Sequence, residues 1–330
     1  MRNKSVLKTL LALAAAVWPA YSLFAWGPEG HRAVAALAEE LISPATKARV
    51  QAILAQDHSP DLASVSVWAD DARLAAFGAG PLKDDPAAAA FNHDWPHNAL
   101  WHFVDLPLGT EQYNETTAFI SNGDVVHTIE RCTLALEGHD PGQPALTPKM
   151  ALRLLVHFVG DIHQPLHCGC GYYDLPDGQP AKLIQESVKA IGKTSDQGAN
   201  LLFYDVENRL ELHVFWDVVL VSAVTGSNDY HRLVEQLRTV DIENDITNTD
   251  YHHWPETWAI DSVREARKAY AGLTFGVPTQ QPNPHGIGQN LVIPITLPSG
   301  YSEKMKPIVI ERLRVAADHL AALLDRIQWQ

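Results

Sequence analysis

The chain has 330 residues, is 46% hydrophobic and 19% charged, and carries a formal net charge of −14. That balance excludes a disordered or fibrous polymer and supplies enough apolar residues for a sizeable core. It also excludes a protein that grips nucleic acid with a broad basic surface, so a phosphate-bearing substrate would have to meet local positive charge.

In chain order, the N-terminus reads as a secretory signal. Arg2, Lys4 and Lys8 form a positive stretch, Leu10 to Val17 form an apolar run too short to cross a bilayer, and Ala25 offers a cleavage point before Trp26. The expectation is a signal peptide over residues 1–25 and one domain over 26–330, exported to a secreted or periplasmic location and free of the membrane after cleavage. Helical spacing of apolar residues follows Pro28 and Glu29, and further helices are expected over 44–56, 60–77, 115–138 and 147–164. Residues 78–96, rich in Ala, Pro, Gly and Asp, read as a loop. Residues 168–199 are irregular, with a short helical piece near 181–191. A small hairpin with Glu207-Asn208 in its turn comes next, then helices over 211–224, 228–239, 255–273 and 303–328, with 275–300 as a Pro/Gly-rich loop. The fold class is mainly α: a single all-helical domain with a small β-hairpin. Cys132, Cys168 and Cys170 leave one disulfide open, with Cys132 pairing to either of the others.

The chemistry concentrates in a few short runs. His157/Asp161 and His213/Asp217 share the form His-x3-Asp, which on a helix points an imidazole and a carboxylate at one spot. Such groups are zinc-type ligands. His163 falls well round the helix from the His157 face and reads as packing or support, whereas His167 follows Pro165 and can reach a different ion. "VWADDAR" contributes Asp70, Asp71 and Arg73. "LWHFVD" contributes His102, Phe103 and Asp105 in an alternating, extended pattern. Cleavage before "WGPEGH" would free the α-amine of Trp26, whose pKa of about 7.7–8.0 in peptides lets it serve as a metal ligand; His31 lies just beyond. Each piece alone has an ordinary structural reading, and their combination is what points to a metal centre.

Taken in order, W-G-x-x-G-H, W-A-D-x-x-R, H-F-x-D, H-F-x-G-D-x-x-Q-P-L-H, G-x-N and H-x-x-x-D run from Trp26 to Asp217. With "WAIDSVREA" and the last helix, they make the chain similar to the zinc-dependent single-strand nucleases of the S1/P1 family, relatives of zinc phospholipase C. The resemblance implies the family's helical fold and three zinc ions. One would be held by Asp70, His102, His157 and Asp161. A second would be held by the Trp26 amine and carbonyl with His31 and a bridging Asp161. The third would be held by His167, His213 and Asp217. It further implies Arg73 as a transition-state stabiliser, Phe103 as a base-stacking residue, Asp105 as a group that orients water or contacts the base, and Asn200 as part of the base pocket. The implied activity is hydrolysis of single-stranded DNA and RNA to 5′-nucleotides, with 3′-nucleotidase activity and no stable protein partner. Two departures from the family pattern lie near the expected base-binding rim: Gly198-Ala199-Asn200 stands where two glycines precede the asparagine, and residues 168–195 are an apparent insertion. A zinc phospholipase C and a non-catalytic zinc protein are the competing readings.

Overall fold

Thr147 and Pro148 begin the helix on which the others pack. The Thr147 hydroxyl accepts the Met150 N–H, Pro148 has a φ suited to a first turn, and the helix runs Pro148–Ile162 until Pro165 prevents its continuation. The computed structural model describes residues 26–56, 58–115, 117–242, 250–282 and 289–330; the expected signal segment lies outside them. From Leu154 to Ile162 every residue of this central helix is buried. A helix apolar all round belongs inside a helical domain, and it carries His157 and Asp161 into the core with it.

Around it pack the opening helix Gly27–Leu41, the helices Pro44–Ala55, Trp68–Ala75, Val125–Leu136 and Trp254–Tyr270, and the closing helix Tyr301–Arg326. Their inward faces form one large apolar cluster and leave a small satellite at Cys170, Tyr172 and Ala190. The architecture is mainly α with small sheets, as the sequence indicates. Among the described residues no helix is long and apolar enough to cross a membrane. All three thiols are buried and free, so no disulfide joins them.

Four local expectations are revised. The stretch 60–77 is broken into Leu62–Val65 and Trp68–Ala75. Within 78–96 a helix forms over Pro86–Asp94, because Asp85 caps it by accepting the Ala87 and Ala88 N–H groups and four alanines follow Pro86. The helix expected from 115 starts only at Val125, capped by Asp124. Most consequentially, 275–300 is not a loop. Strand Gln289–Thr296 pairs in parallel with Leu202–Asp205 and antiparallel with Thr274–Phe275 and Thr279–Pro282. With Leu210–Glu211, the expected hairpin becomes part of a five-stranded sheet. A separate short parallel pair, Leu106–Pro107 with Gly169–Cys170, lays the chain beyond His102 beside the chain beyond His167.

The turn before that sheet is unusual. Gln197, Gly198 and Ala199 are consecutive left-handed residues, with φ of 58°, 62° and 68°. A side chain in this conformation costs about 1–2 kcal/mol relative to glycine, part of which glycine's larger unfolded-state entropy offsets. Ala199→Gly should therefore stabilise the protein by about 1 kcal/mol, read as a higher urea midpoint at unchanged slope. A lower midpoint would show that the alanine methyl makes compensating contacts.

Candidate metal centre

Five side chains meet in the interior. His31 comes from the opening helix, Asp70 from the first turn of Trp68–Ala75, His102 from the end of the 3-10 turn Asn98–His102, and His157 and Asp161 from the central helix. None is more than 1% exposed. Asp161 divides its oxygens between two sides: Oδ1 is 3.3 Å from His31 Nε2, while Oδ2 is 2.9 Å from His102 Nδ1 and 3.3 Å from His157 Nε2. Asp70 Oδ1 lies 3.7 Å from both His102 Nδ1 and His157 Nε2, and accepts Arg73 Nη2 at 3.0 Å.

Trp26 is buried against the same helix, its indole N–H donating to the Gly160 carbonyl at 2.9 Å. Gly160 has to be glycine, since a Cβ there would come within 2.7 Å of His31 Nδ1. Trp26 and His31 thus both lean on the residue that precedes Asp161.

The second group is His167, His213 and Asp217, whose ligand-capable atoms lie within 4.8 Å of one another. His213 Nε2 is 3.1 Å from Asp217 Oδ2, and the two imidazoles stack with centroids 5.0 Å apart. Asp217 sits in a π-helical stretch, Phe215–Leu220, between short α-helical turns. Such bulges favour functional positions, because they re-aim one side chain without ending the helix.

Backbone carbonyls orient three of the imidazoles. His157 Nδ1 donates to Ser66 O at 2.7 Å, His167 Nδ1 to His102 O at 2.8 Å and His213 Nδ1 to Gly198 O at 2.6 Å. Each bond fixes the ring with Nε2 directed at its group, the usual support for a metal-binding histidine. Gln164 supports Asp217 by donating to Oδ1 at 2.7 Å. Sequence reasoning missed Gln164 as a supporting residue, although it stands inside the H-F-x-G-D-x-x-Q-P-L-H run. It also missed Asp196, for which no spacing rule gives a signal.

A chemical test of cation binding is whether buried donors are left without partners. His31 Nδ1 and Nε2, Asp70 Oδ2, Asp161 Oδ1, His167 Nε2 and Asp217 Oδ2 are all buried without a hydrogen bond. Orphans of this kind are rare and costly, and here they cluster on nitrogen and carboxylate donors that suit zinc. Burial and the neighbouring His157 lower the His31 pKa to about 4, favouring the neutral, ligating form. Burial opposes charge on His157, but Asp161 and Asp70 outweigh it and lift the value to about 9. Burial disfavours the Asp161 carboxylate, yet His157 and the surrounding imidazole N–H groups hold its pKa well below the ordinary range.

The remaining predicted residues are placed as follows. Arg73 is held on Asp70 with its side chain 11% exposed. Phe103 begins the extended segment after the 3-10 turn (φ −152°, ψ 168°) and is half-buried, as is Asp105, while His102 and Val104 are buried. The sides therefore alternate as expected, although His102 itself belongs to the turn. Ser195 Oγ is 3.5 Å from Asp105 Oδ2, and burial followed by the charge of Asp196 raises the Asp105 pKa to about 6. Asn200 is half-buried and donates back into its own turn, to Gln197 O at 2.7 Å. His163 points elsewhere, to Val159 O and His319 Nδ1, each at 2.7 Å.

The sequence profile described as S1/P1 nuclease matches residues 26–328. The chain is 26% identical over 324 residues to endonuclease 4 of Arabidopsis thaliana, covering 92% of this chain and 89% of that one. It is 25% identical over 331 residues to nuclease S1 of Aspergillus oryzae, covering 97% and 98%. To nuclease P1 of Penicillium citrinum it is 32% identical over 145 residues, covering 43% of this chain and 47% of that one. The profile takes in both buried groups and the helices that carry them, and the chain accordingly belongs to the S1/P1 nuclease family, hydrolases of phosphodiester bonds.

Proposed function

We propose that the chain is an exported zinc enzyme that cleaves single-stranded DNA and RNA to 5′-nucleotides and removes the phosphate of 3′-nucleotides. The observation that carries this reading is the set of buried, unpartnered imidazole and carboxylate atoms in the two groups. We assign Asp70, His102, His157 and Asp161 to one zinc. The freed amine and carbonyl of Trp26, His31 and Asp161 are assigned to a second, and His167, His213 and Asp217 to a third. Removal of residues 1–25 would create that amine and so couple metal loading to export. When bound, zinc ions supply Lewis-acid stabilisation of phosphoryl oxygens and a nucleophile near neutral pH. Arg73, steadied by Asp70, adds a guanidinium for charge that develops on the phosphate. Phe103 offers a ring face to an unstacked base, which a duplex would withhold. Asp105, with a pKa near 6, is suited to exchange a proton or orient water beside the phosphate, and Asn200 is assigned to the base pocket.

Mature protein should carry about three zincs per chain and release acid-soluble nucleotides from single-stranded DNA in a chelator-sensitive manner. Three zincs with no release, but with hydrolysis of phosphatidylcholine micelles, would overturn the nucleic-acid substrate. Asp161→Ala should lose two of those zincs together and lower kcat/KM by more than about 100-fold; retention of all three would rule out the bridge. A methionine placed before Trp26 should impair zinc loading, and full loading would remove the terminal amine from the ligand set. Phe103→Ala should raise KM for an oligonucleotide about tenfold while leaving zinc content unchanged, and a loss confined to kcat would take the stacking role away.

A further inference from the structure

Asp196 stands immediately before the left-handed turn Gln197–Ala199, and its carboxylate is fully buried. It accepts the Gly171 N–H at 3.1 Å, the Ala199 N–H at 2.9 Å, the Tyr173 hydroxyl at 2.9 Å and the Tyr270 hydroxyl at 3.0 Å, with Cys170 Sγ 3.3 Å away. These donors come from the strand segment after His167, from the helix Trp254–Tyr270 and from the left-handed turn Gln197–Ala199. A carboxylate that meets so many donors is held in one orientation, and it fixes whatever is bonded to it.

The turn is what needs fixing. Its three left-handed residues do not hold that conformation on intrinsic preference, and only one of them is glycine. Gly198 is pressed against the chain just before His167, where a Cβ would come within 2.3 Å of Leu166 O. Its N–H reaches Cys170 Sγ at 3.4 Å, and its carbonyl accepts His213 Nδ1 at 2.6 Å. That last bond commits His213 to the tautomer whose Nε2 faces Asp217. If the turn relaxes, the acceptor moves and the commitment is lost.

We infer that Asp196 is a positioning residue for the His167–His213–Asp217 group, acting through the left-handed turn and the Gly198 carbonyl. The inference rests on the reading that this group holds a zinc ion. Asp196→Asn keeps the shape of the side chain but replaces one acceptor oxygen with a donor. It should weaken the zinc at this group by about 10- to 100-fold in chelator competition and lower activity in a way that excess zinc restores. Ala199→Gly, which lets the turn hold itself, should recover part of that affinity in the double variant. Tyr270→Phe removes a single donor from Asp196 and should give a smaller loss of the same kind; it decides the matter if Asp196→Asn does not accumulate folded. A lower melting temperature with zinc affinity unchanged in the folded variants would overturn the role of Asp196 and leave it as a packing hub. Wild-type protein that holds no zinc at this group would overturn the metal reading itself, a different result from wild-type affinity in the variants.

Discussion

Asp161 is wholly buried, and its two oxygens face opposite ways, one toward His31 and the other toward His102 and His157. Taking a carboxylate out of water costs several kcal/mol unless it is compensated. Much of the molecule can be read as the means of compensation. The central helix brings Asp161 in, the opening helix delivers His31 to one oxygen, and the turn before Phe103 delivers His102 to the other. Gly160 keeps the helix surface low enough for His31 to approach, and Trp26 closes over the same glycine. Oδ2 is met by the His102 imidazole at 2.9 Å, whereas Oδ1 has no hydrogen-bond partner and faces the His31 imidazole. A site compensated only by other titratable groups is poorly satisfied without a cation and well satisfied with one.

The second group obeys the same logic with a longer supply line. His167 is aimed by the His102 carbonyl, so an imidazole of one group is oriented by the backbone of a residue in the other. The parallel pairing of Leu106–Pro107 with Gly169–Cys170, and the Val104 N–H on the His167 carbonyl at 2.8 Å, fasten these two stretches side by side. Phe103 and Asp105 lie on that shared segment. The predicted substrate-contacting residues are therefore positioned by the backbone bonds that join the two groups, and a shift in one group would be felt at the other.

What was legible in the sequence follows from which interactions are local. His157 with Asp161, and His213 with Asp217, are one turn apart, so helix periodicity alone places each pair on one face. The Thr147 cap and the Pro165 stop are equally local, and the central helix appears where they predict. The helix Pro86–Asp94 was also legible in principle, since Asp85-Pro86 followed by alanines is a capping signature, but the glycines and prolines before it obscured the pattern. The strands within 274–296 were not legible, because Gln289–Thr296 is anchored on Leu202–Asp205, some ninety residues away in sequence, and the prolines among them imitate a loop. Asp196 was silent for a similar reason. A lone aspartate two residues ahead of a glycine reads as turn chemistry, and only the folded chain brings Tyr173, Tyr270 and Gly171 to it.

The same distinction bears on the alanine at 199, which stands in the left-handed region. A local reading sees a backbone penalty and nothing else. In the folded molecule the penalised residue donates its N–H to Asp196, and the residue before it supplies the carbonyl that aims His213. Strain at a supporting turn is tolerable when the bonds that hold the turn also orient a buried imidazole, because these bonds must form in any case for the group to assemble. Aspartate suits this position because its short side chain returns to the N–H three residues on and still reaches two phenols. The left-handed turn can therefore carry an alanine here, since its geometry is set by the buried carboxylate next to it more than by the preferences of its own residues.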